Sequence, residues 1–146
     1  MMELLLVEDN RADVLLFSEL LAEKDQTVTL HWVRDGEQAL DYIFKRRQYE
    51  TAPKPDVVLL DLGLPRISGY HVLKEMKSDG RAEGISVVVL TTSTNPGDRL
   101  QCNALGADGF YSKPRNLDEY DTLLASLIQN SFHLQERQPK NGGTDA

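Results

Sequence analysis

Apolar positions along the chain fall into two alternating periods. Short β-favouring runs recur at ELLLV (3–7), VTLHWV (28–33), DVVLL (56–60), ISVVVLT (85–91) and DGFYS (108–112). The first, third and fourth are almost unbroken, the pattern of strands buried on both faces of a parallel sheet. The second alternates more and the fifth is short, which places both nearer the edges. Between these runs, apolar residues return every three or four positions. Residues 11–24 carry Val14, Phe17, Leu20 and Leu21 on one stripe, behind Asn10 as N-cap. Residues 36–47 group Ala39, Leu40, Ile43 and Phe44, and residues 69–79 group Val72, Leu73 and Met76. A fourth helix opens with Asn95 as cap and Pro96 at its first position, and its stripe of Leu100 and Ala104 is thin. The fifth, 117–130, repeats Leu117, Tyr120, Leu123, Leu124, Leu127 and Ile128.

Five strand–helix alternations predict an α/β fold: a doubly wound parallel (βα)₅ sheet with right-handed crossovers and strand order 2-1-3-4-5. No internal repeat is present. One domain is expected over residues 1–134, and the polar, Pro- and Gly-containing stretch 135–146 reads as a flexible tail. The connection 46–56 is long for a helix-to-strand loop. A chain of 146 residues can bury a core without covalent staples.

Composition narrows the function class. The net charge of −7 argues against sequence-independent nucleic-acid binding, which needs Lys and Arg to neutralise phosphates. The one cysteine, Cys102, excludes an internal disulfide or thiolate metal cluster. The opening MMELLLV meets Glu8 and Asp9 too soon for a signal peptide or membrane span, so the cytoplasm is expected and no membrane partner. His31, His71 and His133 are far apart in the sequence and give little support to a histidine metal site or triad.

Open α/β sheets bind ligands outside the carboxyl ends of their strands. Here the first strand ends in Glu8 and Asp9, the third in Asp61, and the fourth in Thr91 followed by Thr92 and Ser93; Lys113 and Pro114 follow the fifth. In the order 2-1-3-4-5 the first and third strands are neighbours, so three carboxylates meet. Such a group repels itself unless it takes up a proton or a cation. Mg²⁺ suits it, being a hard ion that needs only one or two carboxylates beside waters and a phosphate oxygen. An aspartate can be a nucleophile towards phosphorus, with Mg²⁺, Lys113 and Thr91 each compensating one phosphoryl oxygen. Singly, each residue has an ordinary explanation: a cap, a turn, a strand-end hydroxyl, a surface charge. Four strand ends, each carrying the residue type this chemistry needs, are harder to explain that way.

The segments LLLVEDN (4–10), VVLLDLGLPRISG (57–69), VVVLTTS (87–93) and GFYSKP (109–114) together resemble the receiver domain of two-component response regulators, across about residues 3–130. The resemblance implies a flavodoxin-like, CheY-like fold in which Asp61 accepts a phosphoryl group from a sensor histidine kinase. It implies Mg²⁺ held by Asp9, Asp61 and the backbone carbonyl of Gly63, with Glu8 acting mainly through water. Lys113 and Thr91 would bind the phosphoryl group, Phe110 would be the switch aromatic that follows Thr91, and the bond before Pro114 is often cis in the family. Output would be a population shift at the face of the fourth helix, fifth strand and fifth helix, towards an unknown downstream protein. Such a protein catalyses only its own phosphotransfer and dephosphorylation.

SKPRNLDEY leading to LIQNSFHL, with the LTTS loop, looks most like the small stand-alone regulators paired with bacterial phytochrome kinases. That likeness implies a phytochrome-type kinase partner and a homodimer through the same face, which Phe132 and Leu134 could extend. Three residues limit the transfer: Gly63 and Thr92 stand at positions where the family varies and border the phosphoryl pocket, and Phe110 lacks the hydroxyl of the commoner tyrosine. A flavodoxin-like FMN binder is the alternative, since TTSTNPGD could open a phosphate cradle, but Glu8 and Asp9 stand where its phosphate loop would be. A phosphorylation-independent adaptor would not require the Asp9, Asp61, Thr91 and Lys113 set. A haloacid-dehalogenase-type phosphatase would need an acid at position 63.

Overall fold

The computed structural model describes residues 2–24 and 27–141, with side chains as far as Gln129. Strands β1 (Met2–Val7), β2 (Val28–Val33), β3 (Val57–Asp61), β4 (Ser86–Thr91) and β5 (Gly109–Ser112) form one parallel sheet in the order β2-β1-β3-β4-β5. The helices are α1 (Arg11–Lys24), α2 (Gly36–Ile43), α3 (Gly69–Ser78), α4 (Pro96–Ala104) and α5 (Leu117–Asn141). Two compact units divide the chain: Met1–Lys113, which holds all five strands and α1 to α4, and Pro114–Ala146, which holds α5. Among the described residues no helix is long and apolar enough to cross a membrane.

The apolar runs do what their patterns demand. Every residue of β3 and β4 is buried, whereas β2 and β5 at the edges are mostly half-buried. Alternate residues Leu5, Val7, Val58, Leu60, Val87 and Val89 enter one core with Ala39 and Ile43 of α2 and Val72, Leu73 and Met76 of α3. Each of these side chains larger than alanine contributes about 1.5–3 kcal/mol by leaving water. In α1, Val14, Phe17 and Leu21 are buried and Leu20 is half-buried. Within the second unit, α5 buries Tyr120, Leu123, Leu124 and Leu127 at helical spacing.

The register positions the strand ends. Val7 lies opposite Leu60, so the residue after β1, Glu8, comes level with Asp61. Asp61 pairs with Leu90, and Thr91 pairs with Ser112, one residue before Lys113.

Several local expectations need correction. The second helix stops at Ile43 rather than 47. Lys45 and Arg47 both have positive φ, 56° and 55°, which no α-helix accommodates. The helix closes as the Arg46 N–H donates to the Asp41 carbonyl at 2.7 Å with Lys45 left-handed, and the buried Asp41 carboxylate accepts from the guanidinium of Arg46 at 3.1 Å and of Arg47 at 3.0 Å as the chain enters a 3₁₀ turn at Arg47–Tyr49. In α4 the buried residue is Cys102, while Leu100 of the expected stripe is 70% exposed and Ala104 is exposed too. The fifth helix runs on to Asn141, so residues 135–141 lie in it and 142–146 fall outside the described residues. The side chains of Phe132 and Leu134 lie outside them as well. No described peptide bond is cis, including that before Pro114.

Candidate functional site

Glu8 is held from both sides of its backbone. Its N–H donates to the Val33 carbonyl at 3.1 Å, and its carbonyl accepts from the Trp32 indole at 2.7 Å. The side chain is 3% exposed and uses both oxygens: Oε2 accepts from the Asn10 N–H at 3.0 Å, and Oε1 pairs with the Lys113 ammonium at 2.7 Å. Asn10 also caps α1, its Oδ1 accepting from Ala12 and Asp13. Asp61, the last residue of β3 and 8% exposed, accepts from the Gly63 N–H at 3.0 Å and pairs with Lys113 at 3.3 Å. Asp9 is exposed. One carboxylate oxygen from each of Glu8, Asp9 and Asp61 lies within 4.8 Å of the others.

Lys113 joins these acids to the far side of the sheet. Its backbone N–H donates to the Thr91 carbonyl at 2.8 Å, fixing where the side chain starts, and its ammonium also lies 3.6 Å from Asp13. Burial pushes the Glu8 carboxyl above its ordinary value and prevails over the Lys113 and Asn10 hydrogen bonds. For Lys113 burial acts downward, but bonding to Glu8 and the charge of Asp61 prevail and hold its pKa above the ordinary value. Lys113 is therefore a fixed cation, and one ammonium does not neutralise three clustered carboxylates. The donor set of Glu8, Asp9 and Asp61 is all oxygen, without sulfur or imidazole, and fits a hard divalent cation.

Backbone packing sets the position of Asp61. A Cβ at Gly69 would lie 2.4 Å from the Asp61 carbonyl oxygen and 2.7 Å from the Leu62 Cα. Only glycine lets the start of α3 sit this close to the end of β3. A Cβ at Gly63, by contrast, would meet Asp61 Oδ1 at an ordinary 3.8 Å. Thr91 is 3% exposed, and its Oγ1 accepts from the Ser93 N–H at 3.1 Å. Phe110 lies opposite Val89, half-buried, with the Arg99 guanidinium 5.2 Å from its ring centroid.

The structure thus gathers Glu8, Asp9, Asp61 and Lys113 into one cluster, and the register brings Thr91 to the neighbouring strand end. Trp32 and Asp13 were not among the residues anticipated. Trp32 reads as an ordinary strand aromatic, and Asp13 as a first-turn acid of α1; only the assembled sheet shows where each points.

A family model described as the response regulator receiver domain matches residues 4–125. The chain belongs to this family. Its five-stranded order matches the CheY-like flavodoxin fold of the family's solved structures, and membership gives it a signalling role in a two-component phosphorelay. The response regulator Rcp1 of a Synechocystis strain is 39% identical over 132 residues, covering 90% of this chain and 88% of that protein. The crystal structure of the phosphorylated cyanobacterial phytochrome response regulator RcpA is similar at a TM-score of 0.84 and 36% identity, covering 90% of this chain and 94% of that one. The Mn²⁺-bound form of Rcp1 is similar at a TM-score of 0.82 and 35% identity, covering 88% and 93%. The FMN-binding alternative is not favoured.

Proposed function

We propose that Asp61 is the phosphoacceptor of this regulator and that a phytochrome-type histidine kinase is its phosphodonor. The observation that carries the first part is the convergence on Asp61 of the Lys113 ammonium at 3.3 Å and the Glu8 and Asp9 carboxylates. The likeness to phytochrome regulators supports the second. A carboxylate oxygen of Asp61 attacks phosphorus as the P–N bond of the donor phosphohistidine breaks. Gly63 N–H and the rigid end of β3 orient the carboxylate, and Lys113 compensates charge on a phosphoryl oxygen. The Thr91 hydroxyl donates to another. Glu8 holds Lys113 in place until the phosphoryl group arrives. Asp9, Asp61 and the Gly63 carbonyl would hold Mg²⁺, with Glu8 acting through water; the ion supplies charge neutralisation and orientation at the phosphoryl oxygens. Thr91 and Phe110 register the modification, and the output and homodimer face is that of α4, β5 and α5. The protein catalyses only its own phosphotransfer and dephosphorylation, in the cytoplasm.

The test is incubation with Mg²⁺ and a small phosphodonor, comparing the parent with Asp61→Asn. A Mg²⁺-dependent, alkali-labile phosphoryl group is expected on the parent alone; labelling that survives the substitution refutes the assignment. Phosphotransfer profiling against a set of sensor kinases checks the partner, and slower transfer from a phytochrome kinase than from the others refutes it.

A further inference from the structure

Helix α4 has little apolar packing to hold it, since Cys102 is its one buried residue. Its first turn is held by polar bonds instead. Asp98 uses both carboxylate oxygens: one accepts from the Tyr70 hydroxyl on α3, the other from the Ser93 hydroxyl in the loop after β4. Ser93 also donates its backbone N–H to Thr91 Oγ1 at 3.1 Å, and its own Oγ accepts from the Asn95 N–H at 3.1 Å. Asn95 in turn caps α4 through the Gly97 N–H at 2.9 Å. At the other end, Tyr70 directly follows Gly69, whose N–H donates to the Leu62 carbonyl at 3.2 Å and whose Cα is pressed against the Asp61 backbone. One path therefore runs from Asp61 through Gly69, Tyr70, Asp98 and Ser93 to the hydroxyl of Thr91.

We propose that Tyr70, Asp98 and Ser93 form a latch that holds Thr91 and the start of α4 in the resting position, so that these three positioning residues set how readily modification of Asp61 moves α4. The proposal rests on the reading of Asp61 and Thr91 given above. Drawing Thr91 towards a phosphoryl group on Asp61 must either break its bond to Ser93 or carry Ser93 along. Carrying Ser93 along pulls on Asp98, and with it the first turn of α4. Bonds to a carboxylate are the stronger kind, so the chain transmits displacement until one link gives way. The charges agree with this geometry. The Ser93 and then the Tyr70 hydrogen bonds hold Asp98 below the ordinary carboxylate value. Burial and then Asp98 hold the Tyr70 phenol above its usual value, leaving it a neutral donor.

Two measurements on the parent, Tyr70→Phe, Ser93→Ala and the double variant test this. The first is amide hydrogen exchange in the resting protein; the second is affinity for beryllofluoride in the presence of Mg²⁺. Phenylalanine keeps the ring of Tyr70, and Ser93→Ala cuts the path from its other end, so a defect peculiar to one variant is recognised. Both single variants should speed exchange across residues 92–104 without altering β1 or β3. Both should bind beryllofluoride more tightly, by roughly tenfold, the scale of one hydrogen bond to a charged group. The double variant should gain no more than the larger single effect, because the links act in series. A purely structural cap would loosen α4 without tightening beryllofluoride binding, and that result overturns the latch, as does unchanged exchange over 92–104. A parent that binds no beryllofluoride overturns the Asp61 reading itself.

Discussion

Replacing Gly69 with alanine perturbs the site through backbone packing alone. The added Cβ would lie 2.4 Å from the Asp61 carbonyl oxygen, and ordinary contact begins at 3.4 Å. The start of α3 and the end of β3 must therefore separate by about 1 Å, and both obstructing atoms, Asp61 O and Leu62 Cα, are backbone that no rotamer change can clear. Overpacking of this kind costs about 2 kcal/mol, and alanine's helix propensity returns little at the first position of α3, directly after the Ser68 cap. The expected net loss is about 2 kcal/mol, or roughly 6 °C in Tm for a chain of this size. The same separation misplaces Asp61, the proposed nucleophile, so the phosphotransfer rate should fall about 100-fold, the usual consequence of a 1 Å error at a reacting group. Gly63→Ala is the control, because its Cβ meets Asp61 Oδ1 at 3.8 Å; its stability should stay within about 0.5 kcal/mol of the parent. Urea unfolding measures the first quantity and labelling by a small phosphodonor the second. If Gly69→Ala matches the parent and Gly63→Ala in both, the close approach of α3 to β3 does not position Asp61.

Two further outcomes follow from groups near α4. The folded-state pKa of Asp98 lies below its ordinary value of 3.8, so its ionised form stabilises the fold above that value, and the contribution is lost as the pH falls through the depressed one. Asp98→Asn should therefore flatten the fall in urea midpoint between about pH 5 and pH 3, and curves parallel to the parent's would contradict the hydrogen-bonded carboxylate. Cys102 is 0% exposed and burial, with the charge of Asp98, pushes its thiol upward. A chromogenic disulfide reagent at pH 8 should label it only on unfolding, and prompt labelling of the native protein would show that α4 opens freely.

The strand ends were legible because period and register are properties of the chain itself. Near-continuous, β-branched runs such as DVVLL and ISVVVLT, too short for helices, suit strands covered on both faces, and their number and alternation leave few topologies. Once β1 and β3 are neighbours, the residues that end them must meet, and Glu8, Asp9 and Asp61 do. The end of α2 was less accessible. Its apolar spacing continues through Phe44, but the Arg46 N–H bonds back to the Asp41 carbonyl at 2.7 Å with Lys45 left-handed, and the Asp41 carboxylate holds Arg46 and Arg47 beyond the stop. In α4 the reading of Cys102 as a packing residue of a thin stripe holds, while Leu100 and Ala104, placed on the same stripe, are exposed.

The Tyr70–Asp98–Ser93 path marks a different boundary of sequence reading. Tyr70 and Asp98 are 28 residues apart and on different helices, and no periodicity joins them. Ser93 and Asp98 read alone as a loop hydroxyl and a first-turn acid, each with a local use. They become a connection only when the sheet order brings the start of α3 beside the start of α4. The cluster of Glu8, Asp9, Asp61 and Lys113 was legible because each strand presents its group independently and the sheet supplies the common origin. The path from that chemistry to α4 was not, because it depends on pairs of side chains whose meaning exists only in contact. Within one family this separates two sets of residues. On the proposed reading, substitutions at Asp61, Lys113 or Thr91 should change whether the reaction occurs, whereas substitutions at positions 70, 93 and 98 should retune the response while leaving the reacting groups intact.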